Sequence, residues 1–280
     1  MVKYKELELI YSSFMCDKNC PYCTAKITKW PIRQDCLEKL EEKLALLKKE
    51  NVRFKYFIIS GNGEPSLNSY ESLKIIKDAV NKVNIFDEKR LQSSGNIFYE
   101  DDKFNLLKDD FMIEITRCYF DSKKDMEVLG YKRDYIKTSN FNKANNIRLN
   151  YVMLQNKSFD EYLEEIKMFI DRYPNIKTVS LKTLNLNTFD GNINNPYSKW
   201  ILNNGLTKKD SDKIIEYMSN NAKFKCKDEK FFDRYEWIYK NIPITFYVKK
   251  LDYGYSNIVY YGGELVDYHL QPIKLKKEEL

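Results

Sequence analysis

Long hydrophobic runs are missing from this chain. None approaches the roughly 20 residues that cross a bilayer. The opening residues, Met1-Val2-Lys3-Tyr4-Lys5-Glu6, hold no apolar signal-peptide core, so a cytoplasmic protein is expected. Histidine is nearly absent, with His269 alone. Cysteine is scarce and unevenly placed: of six, three fall within eight residues at 16, 20 and 23, and the others lie at 36, 118 and 226. A secreted disulfide framework would spread its cysteines and follow a leader, so the triplet points instead to a metal. What is abundant is aromatic: 22 Tyr and 16 Phe in 280 residues, with 43% hydrophobic residues, enough to fill a sizeable core and to exclude intrinsic disorder.

Charge gives no partner. The net +6 comes from 47 basic and 41 acidic residues interspersed along the chain, the pattern of a solvated surface rather than a nucleic-acid face. The densest basic run, Lys274-Leu275-Lys276-Lys277, is short and terminal.

Strand-like and helix-like patterns take turns from residue 6. Residues 6–14 alternate like a strand and run into the cysteines, and 35–49 place Leu37, Leu40, Leu44 and Leu47 on one helical face. Residues 54–60 read as a buried strand ending at Gly61-Asn62-Gly63-Glu64-Pro65, and 69–83 as a helix with Leu73, Ile76 and Val80 aligned. Further strands are expected at 90–94, 111–116, 147–154 and 177–182, with a helix over 159–173. Such alternation makes a parallel sheet with crossover helices, an α/β partial (β/α)6 barrel with ligands at the C-terminal strand ends. Residues 1–185 form this core, and 186–280 a small α+β covering region. In the latter, 185–204 reads as a loop, 207–221 as a capped helix, 244–248 as a strand and 258–266 as a hairpin turning at Gly262-Gly263.

Cys16-Asp17-Lys18-Asn19-Cys20-Pro21-Tyr22-Cys23 is the most informative stretch. Three thiolates this close can wrap one corner of an iron–sulfur cubane, leaving one iron open. They can also bind zinc, with Cys36 or His269 as fourth ligand, although zinc fingers usually pair their cysteines twice.

The C-x3-C-x2-C motif, with the aromatic Tyr22 before its third cysteine, resembles the signature of the radical S-adenosylmethionine (AdoMet, SAM) superfamily. Gly61-Asn62-Gly63-Glu64-Pro65, about 40 residues on at the end of the next strand, resembles that family's motif for the methionine amino group. The resemblance covers roughly residues 6–185 and is closest to single-cluster members of the molybdenum-cofactor-cyclase and viperin-like branch. It implies a [4Fe–4S] cluster held by Cys16, Cys20 and Cys23, with Tyr22 near the adenine. It further implies Ser93 or Ser94 at the methionine carboxylate, and Thr116 or Glu114 at the ribose. Asn150 would stand near the ribose hydroxyls and Leu184 beside the adenine. Arg117 is either a partner of the methionine carboxylate or an ordinary surface arginine.

The implied chemistry is reductive cleavage of S-adenosyl-L-methionine to a 5′-deoxyadenosyl radical, which abstracts hydrogen from the substrate. No imidazole is needed for that step, so the scarcity of histidine does not count against an enzyme. Cys118 and Cys226 lie over 100 residues apart, so no auxiliary cluster is expected, and no cobalamin-dependent methyl transfer is expected either. A small-molecule or nucleotide substrate is the first expectation, under a cover formed by 185–204 and 249–255. There Lys182, Lys249 and Lys250 would hold a phosphate or carboxylate, near Tyr253; solvated lysines are the plainer role. A peptide- or RNA-modifying enzyme and a glycyl-radical activase are the alternatives. Cys118 is either a hydrogen donor to a product radical or a small core residue. A flavodoxin or ferredoxin electron donor and oxygen sensitivity follow from the family resemblance.

Overall fold

The computed structural model describes residues 2–11, 16, 18–28, 37–61, 63–184, 194–220, 225–229, 232–249, 257–267 and 271–273. Its first elements are β1 (Val2–Tyr11), α1 (Thr24–Thr28), α2 (Leu40–Lys49), β2 (Val52–Gly61), α3 (Tyr70–Val83), β3 (Phe86–Ser93), α4 (Asp101–Leu107) and β4 (Met112–Arg117). Next come α5 (Ser122–Leu129), α6 (Ser139–Lys143), β5 (Ile147–Met153), α7 (Phe159–Arg172), β6 (Ile176–Thr183), α8 (Pro196–Asn204) and α9 (Lys208–Ser219). The chain closes with β7 (Lys225–Glu229), β8 (Phe232–Tyr239), β9 (Ile242–Lys249), β10 (Asn257–Tyr261) and β11 (Glu264–Val266).

These elements form two compact units, neither of which ends at residue 185. The first comprises Met1–Cys16, Trp30–Ile113 and Gly254–Leu280. Its strands follow the order β11-β10-β1-β2-β3, parallel except for β11. The hairpin expected at the C-terminus is β10–β11. It turns at Gly262 (φ 58°) and Gly263 (φ 86°), both in the left-handed region that a tight two-residue turn requires. Leu40, Leu44 and Leu47 of α2 are buried at helical spacing, as are Leu73, Ile76 and Val80 of α3. Ser69 caps α3 by accepting from the Ser72 amide at 3.1 Å. Phe54, Phe57, Phe86 and Phe111 form an aromatic core, with ring centres 5.1–6.5 Å apart.

The second unit comprises Asp17–Lys29 and Glu114–Tyr253, with strands in the order β4-β5-β6-β9-β8-β7. β5, β6 and β9 run parallel, and β9, β8 and β7 continue as an antiparallel meander. α7 starts at a full capping box of Ser158 and Glu161 and buries Tyr162, Leu163, Ile166, Phe169 and Ile170. Tyr151 of β5 meets the α7 rings of Tyr162 and Phe169, both at 6.0 Å. The two-residue period of a strand therefore turns Arg148, Asn150 and Val152 to the opposite face. α9 opens with the expected capping box, Thr207 with Asp210.

One expectation is corrected. Residues 185–204 were read as a loop, yet Pro196–Asn204 is the helix α8; residues 185–193 lie outside those described. Asn195-Pro196 looks like a turn but serves as N-cap and first helical residue, the Asn195 side chain accepting from the Ser198 amide at 2.8 Å. Among the described residues, no helix is long and apolar enough to cross a membrane.

Candidate active site

In the first unit chemistry-bearing residues follow the ends of β2 and β3, and in the second they line one face within β4, β5, β6 and β9. In the first unit, β2 ends at Gly61, and Gly63 and Glu64 follow; Asn62 lies outside the described residues. Glu64 is 2% exposed. Its Oε1 accepts from the Ser66 amide (3.2 Å), the Ser66 hydroxyl (2.6 Å) and the Ser93 hydroxyl (2.8 Å), and its Oε2 from the Ser94 amide. Pro65, buried, opens the single 3-10 turn Pro65–Leu67 that Glu64 caps. The carboxylate thus ties the turn after β2 to the turn after β3. Ser93 is committed to that bond and also accepts from the Gly95 amide at 3.0 Å. The Ser94 hydroxyl is buried without a hydrogen-bond partner, so of the two serines it has bonding capacity left for a ligand.

In the second unit, Glu114 of β4 and Arg148 and Asn150 of β5 share a face. Asn150 Nδ2 donates to Glu114 Oε2 at 3.1 Å, and Arg148 Nε stands 3.6 Å from Glu114 Oε1. Asn150 is in register with Ser180 of β6, and Ser180 with Thr245 of β9, which extends the polar row across three strands. All five are buried. Asn150 Oδ1, Ser180 Oγ and Arg148 Nε lack hydrogen-bond partners, which leaves an acceptor and donors on this face for a polar ligand. Thr116 is half-buried, and its carbonyl accepts from the Tyr135 hydroxyl at 3.4 Å. Leu184, half-buried after β6, lies so close to Gly205 that a Cβ there would come within 3.1 Å of its carbonyl oxygen.

Arg117 is not on the surface. It is 0% exposed and sits between Asp125, with Nε 3.0 Å from Oδ2, and Tyr131, to whose hydroxyl Nη1 donates at 2.8 Å. Burial works against its charge, but Tyr135, Asp125, Tyr131 and Asp134 more than reverse that and hold it above its ordinary value. Asp125 also accepts from the Cys118 and Tyr119 amides at 2.6 and 3.0 Å, fixing the backbone just after β4. There the Cys118 thiol is buried, 3.5 Å from the Tyr22 hydroxyl. Burial, with Asp125 nearby, pushes the thiol well above its ordinary pKa and keeps it neutral. Tyr22, pushed up by burial and then by Cys118, lies 5.7 Å from the Trp200 ring of α8.

Cys16 is exposed, and Cys20 and Cys23 are half-buried. The Cys23 amide donates to the Cys20 carbonyl at 3.3 Å and the Lys26 amide to the Cys23 carbonyl at 3.1 Å, so the turn leads directly into α1. Three cysteines within eight residues suit an iron–sulfur cluster by donor chemistry. Among the described residues, no three Cys, His, Asp or Glu side chains converge as a metal site.

Lys182 is exposed. Lys249 lies in β9 with its side chain outside the described residues; Lys250, Tyr253, Cys36 and His269 are also outside them. Sequence reasoning missed Arg148 and Ser180, whose alternation with Asn150 and register across β5–β6 were the available signal. It also missed Asp125 and Trp200, which nothing in the local sequence marks.

No protein-family model matches the chain, and no curated protein matches it. Solved structures do, and they are radical SAM enzymes. The chain is similar to anSMEcpe with bound AdoMet and the Kp18Cys peptide, with a TM-score of 0.55, 19% identity, and 76% of this chain and 58% of that one covered. A second anSMEcpe structure, with AdoMet and the Cp18Cys peptide, gives 0.53 and 17% over 79% of this chain and 59% of that one. SuiB from Streptococcus suis gives 0.53 and 19% over 77% of this chain and 47% of that one. The chain therefore has the α/β partial-barrel fold of the radical SAM enzymes. It spans about half the length of these structures, from 47% to 59%.

Proposed function

We propose that this chain is a radical SAM enzyme in which Cys16, Cys20 and Cys23 hold a [4Fe–4S] cluster and S-adenosyl-L-methionine binds beside it. The observation that carries the reading is three cysteines within eight residues, following the first strand of this fold. When bound, the cluster would supply the electron that cleaves the sulfonium of S-adenosyl-L-methionine. The chain's own part is to bind and orient. The backbone around Gly63 and Glu64 would receive the methionine end. Ser94 would bond it, with Ser93 bracing the turn through Glu64. Asn150 and Glu114 would bond the ribose, and Tyr22 and Leu184 would flank the adenine. Arg117 would brace the end of β4 from within the core.

A small-molecule or nucleotide substrate is our first reading, with Arg148 and Ser180 as polar contacts on the same face as Asn150. A peptide substrate is the second, favoured by the peptides bound in the anSMEcpe structures. A flavodoxin or ferredoxin would supply the electron. The test is anaerobic reconstitution with iron and sulfide, dithionite reduction, and EPR with and without S-adenosyl-L-methionine, alongside an assay for 5′-deoxyadenosine. A cluster signal perturbed by S-adenosyl-L-methionine, with slow 5′-deoxyadenosine release, is expected. Stoichiometric zinc and no cluster would overturn the proposal.

A further inference from the structure

Between the first two cysteines lies a lysine with an unusual setting. Lys18 is 8% exposed, and its Nζ stands 5.1 Å from the centre of the Tyr131 ring. Lysines are rarely this buried, and an ammonium over an aromatic face is held there by the ring's negative potential. The ring itself is fixed: the Tyr131 hydroxyl donates to Asp125 and accepts from Arg117.

The same turn grips the cysteine segment. The Leu129 carbonyl at the end of α5 accepts from the Asn19 amide at 3.3 Å and from the Cys20 thiol at 3.8 Å. Gly130 follows in the left-handed region (φ +67°), and a Cβ there would sit 3.1 Å from the Asn19 Cβ. Three consecutive residues of one turn, Leu129, Gly130 and Tyr131, therefore contact Lys18, Asn19 and Cys20, the segment that ends at the second cysteine.

We infer that Lys18 is a positioning residue for electron transfer, whose buried charge raises the reduction potential of the cluster held by Cys16, Cys20 and Cys23. The inference rests on the cluster reading above. One-electron reduction by a low-potential donor adds one negative charge to the cluster and makes or breaks no bond. A nearby positive charge stabilises the reduced form more than the oxidised one, and burial strengthens the effect over that of a surface lysine.

The test compares the full-length chain with its Lys18→Met and Lys18→Arg variants, each loaded anaerobically with iron and sulfide. Iron content is measured, and the EPR signal of the reduced cluster is followed against solution potential, with dithionite as reductant. Lys18→Met is expected to shift the midpoint to lower potential at unchanged iron content, while Lys18→Arg keeps the wild-type midpoint. A Met variant that fails to load beside an Arg variant that loads at the wild-type midpoint also supports the role of the charge. A fully loaded Met variant at the wild-type midpoint overturns the inference. Equal shifts in both variants, or failure of both to load, overturn it as well, because charge would not be the cause. If the wild-type chain takes up no cluster, the functional reading itself falls, a result distinct from all of these.

Discussion

Replacing Asp125 by Asn tests the buried network behind the candidate site. Asp125 and Arg117 are both 0% exposed, so no water replaces the lost charge. Four donors converge on the carboxylate: the Arg117 guanidinium, the Tyr131 hydroxyl and the Cys118 and Tyr119 amides. An asparagine keeps one acceptor for the two amides but turns an NH2 toward Arg117 and Tyr131. It leaves the guanidinium charge buried without its main partner. Breaking one side of a buried ion pair costs about 3–5 kcal/mol. With a urea slope of about 3 kcal/mol/M, the unfolding midpoint should fall by about 1–2 M. The double variant Arg117→Met with Asp125→Asn should be less destabilised than the sum of the two single variants, because the stranded charge is gone. Urea unfolding followed by tryptophan fluorescence measures all four proteins. A single variant at the wild-type midpoint, or strict additivity in the double variant, would refute the reasoning.

Glu64→Gln should destabilise the fold by about 1.5–3 kcal/mol, since the amide cannot accept from Ser66, Ser93 and Ser94 at once. It should also weaken binding of S-adenosyl-L-methionine in equilibrium dialysis; unchanged melting and unchanged binding would count against the role given to Glu64. Asp121 caps α5 by accepting from the Lys124 amide at 2.9 Å, which holds its carboxyl below the ordinary value. A depressed folded value means the contribution is fully present above the ordinary aspartate range and is lost as pH falls through the depressed one. Asp121→Asn should therefore flatten the acid limb of a stability-versus-pH curve, and urea midpoints taken down that limb will show whether it does.

Much of the fold was legible because its helices and strands carry strong periodic patterns. α2, α3 and α7 put their leucines and isoleucines at helical spacing, and the residues expected inward at positions 40, 44, 47, 73, 76 and 80 are buried, whereas Leu37 lies in the 3-10 turn Leu37–Lys39 before α2 and is half-buried. β3 was read four residues late because Phe86 is followed by Asp87, Glu88, Lys89 and Arg90, a charged run that hides a strand. The meander β7–β8 was missed for a similar reason, since Lys225-Cys226-Lys227-Asp228-Glu229 has no apolar alternation. At the site, Glu64 and Asn150 could be placed by motif and strand position. The division of labour between Ser93 and Ser94 could not, because it depends on which hydroxyl turns to Glu64. Arg117 illustrates the same limit: its partner Asp125 is eight residues along, and only the return of the chain through α5 brings Tyr131 to the same guanidinium.

The parallel pairing of β1 with β10 joins Glu6 to Asn257, residues far apart in sequence. During synthesis Asn257 of β10 leaves the ribosome 251 residues after Glu6 of β1, the difference 257 − 6. At about 5–20 residues per second, that flank of β1 stays without its partner for on the order of ten seconds or more. An unpaired strand edge is a template for joining another chain. The nascent protein therefore passes through a stage in which β1 is half-paired, a window for chaperones or for misassociation that closes only when the β10–β11 hairpin arrives.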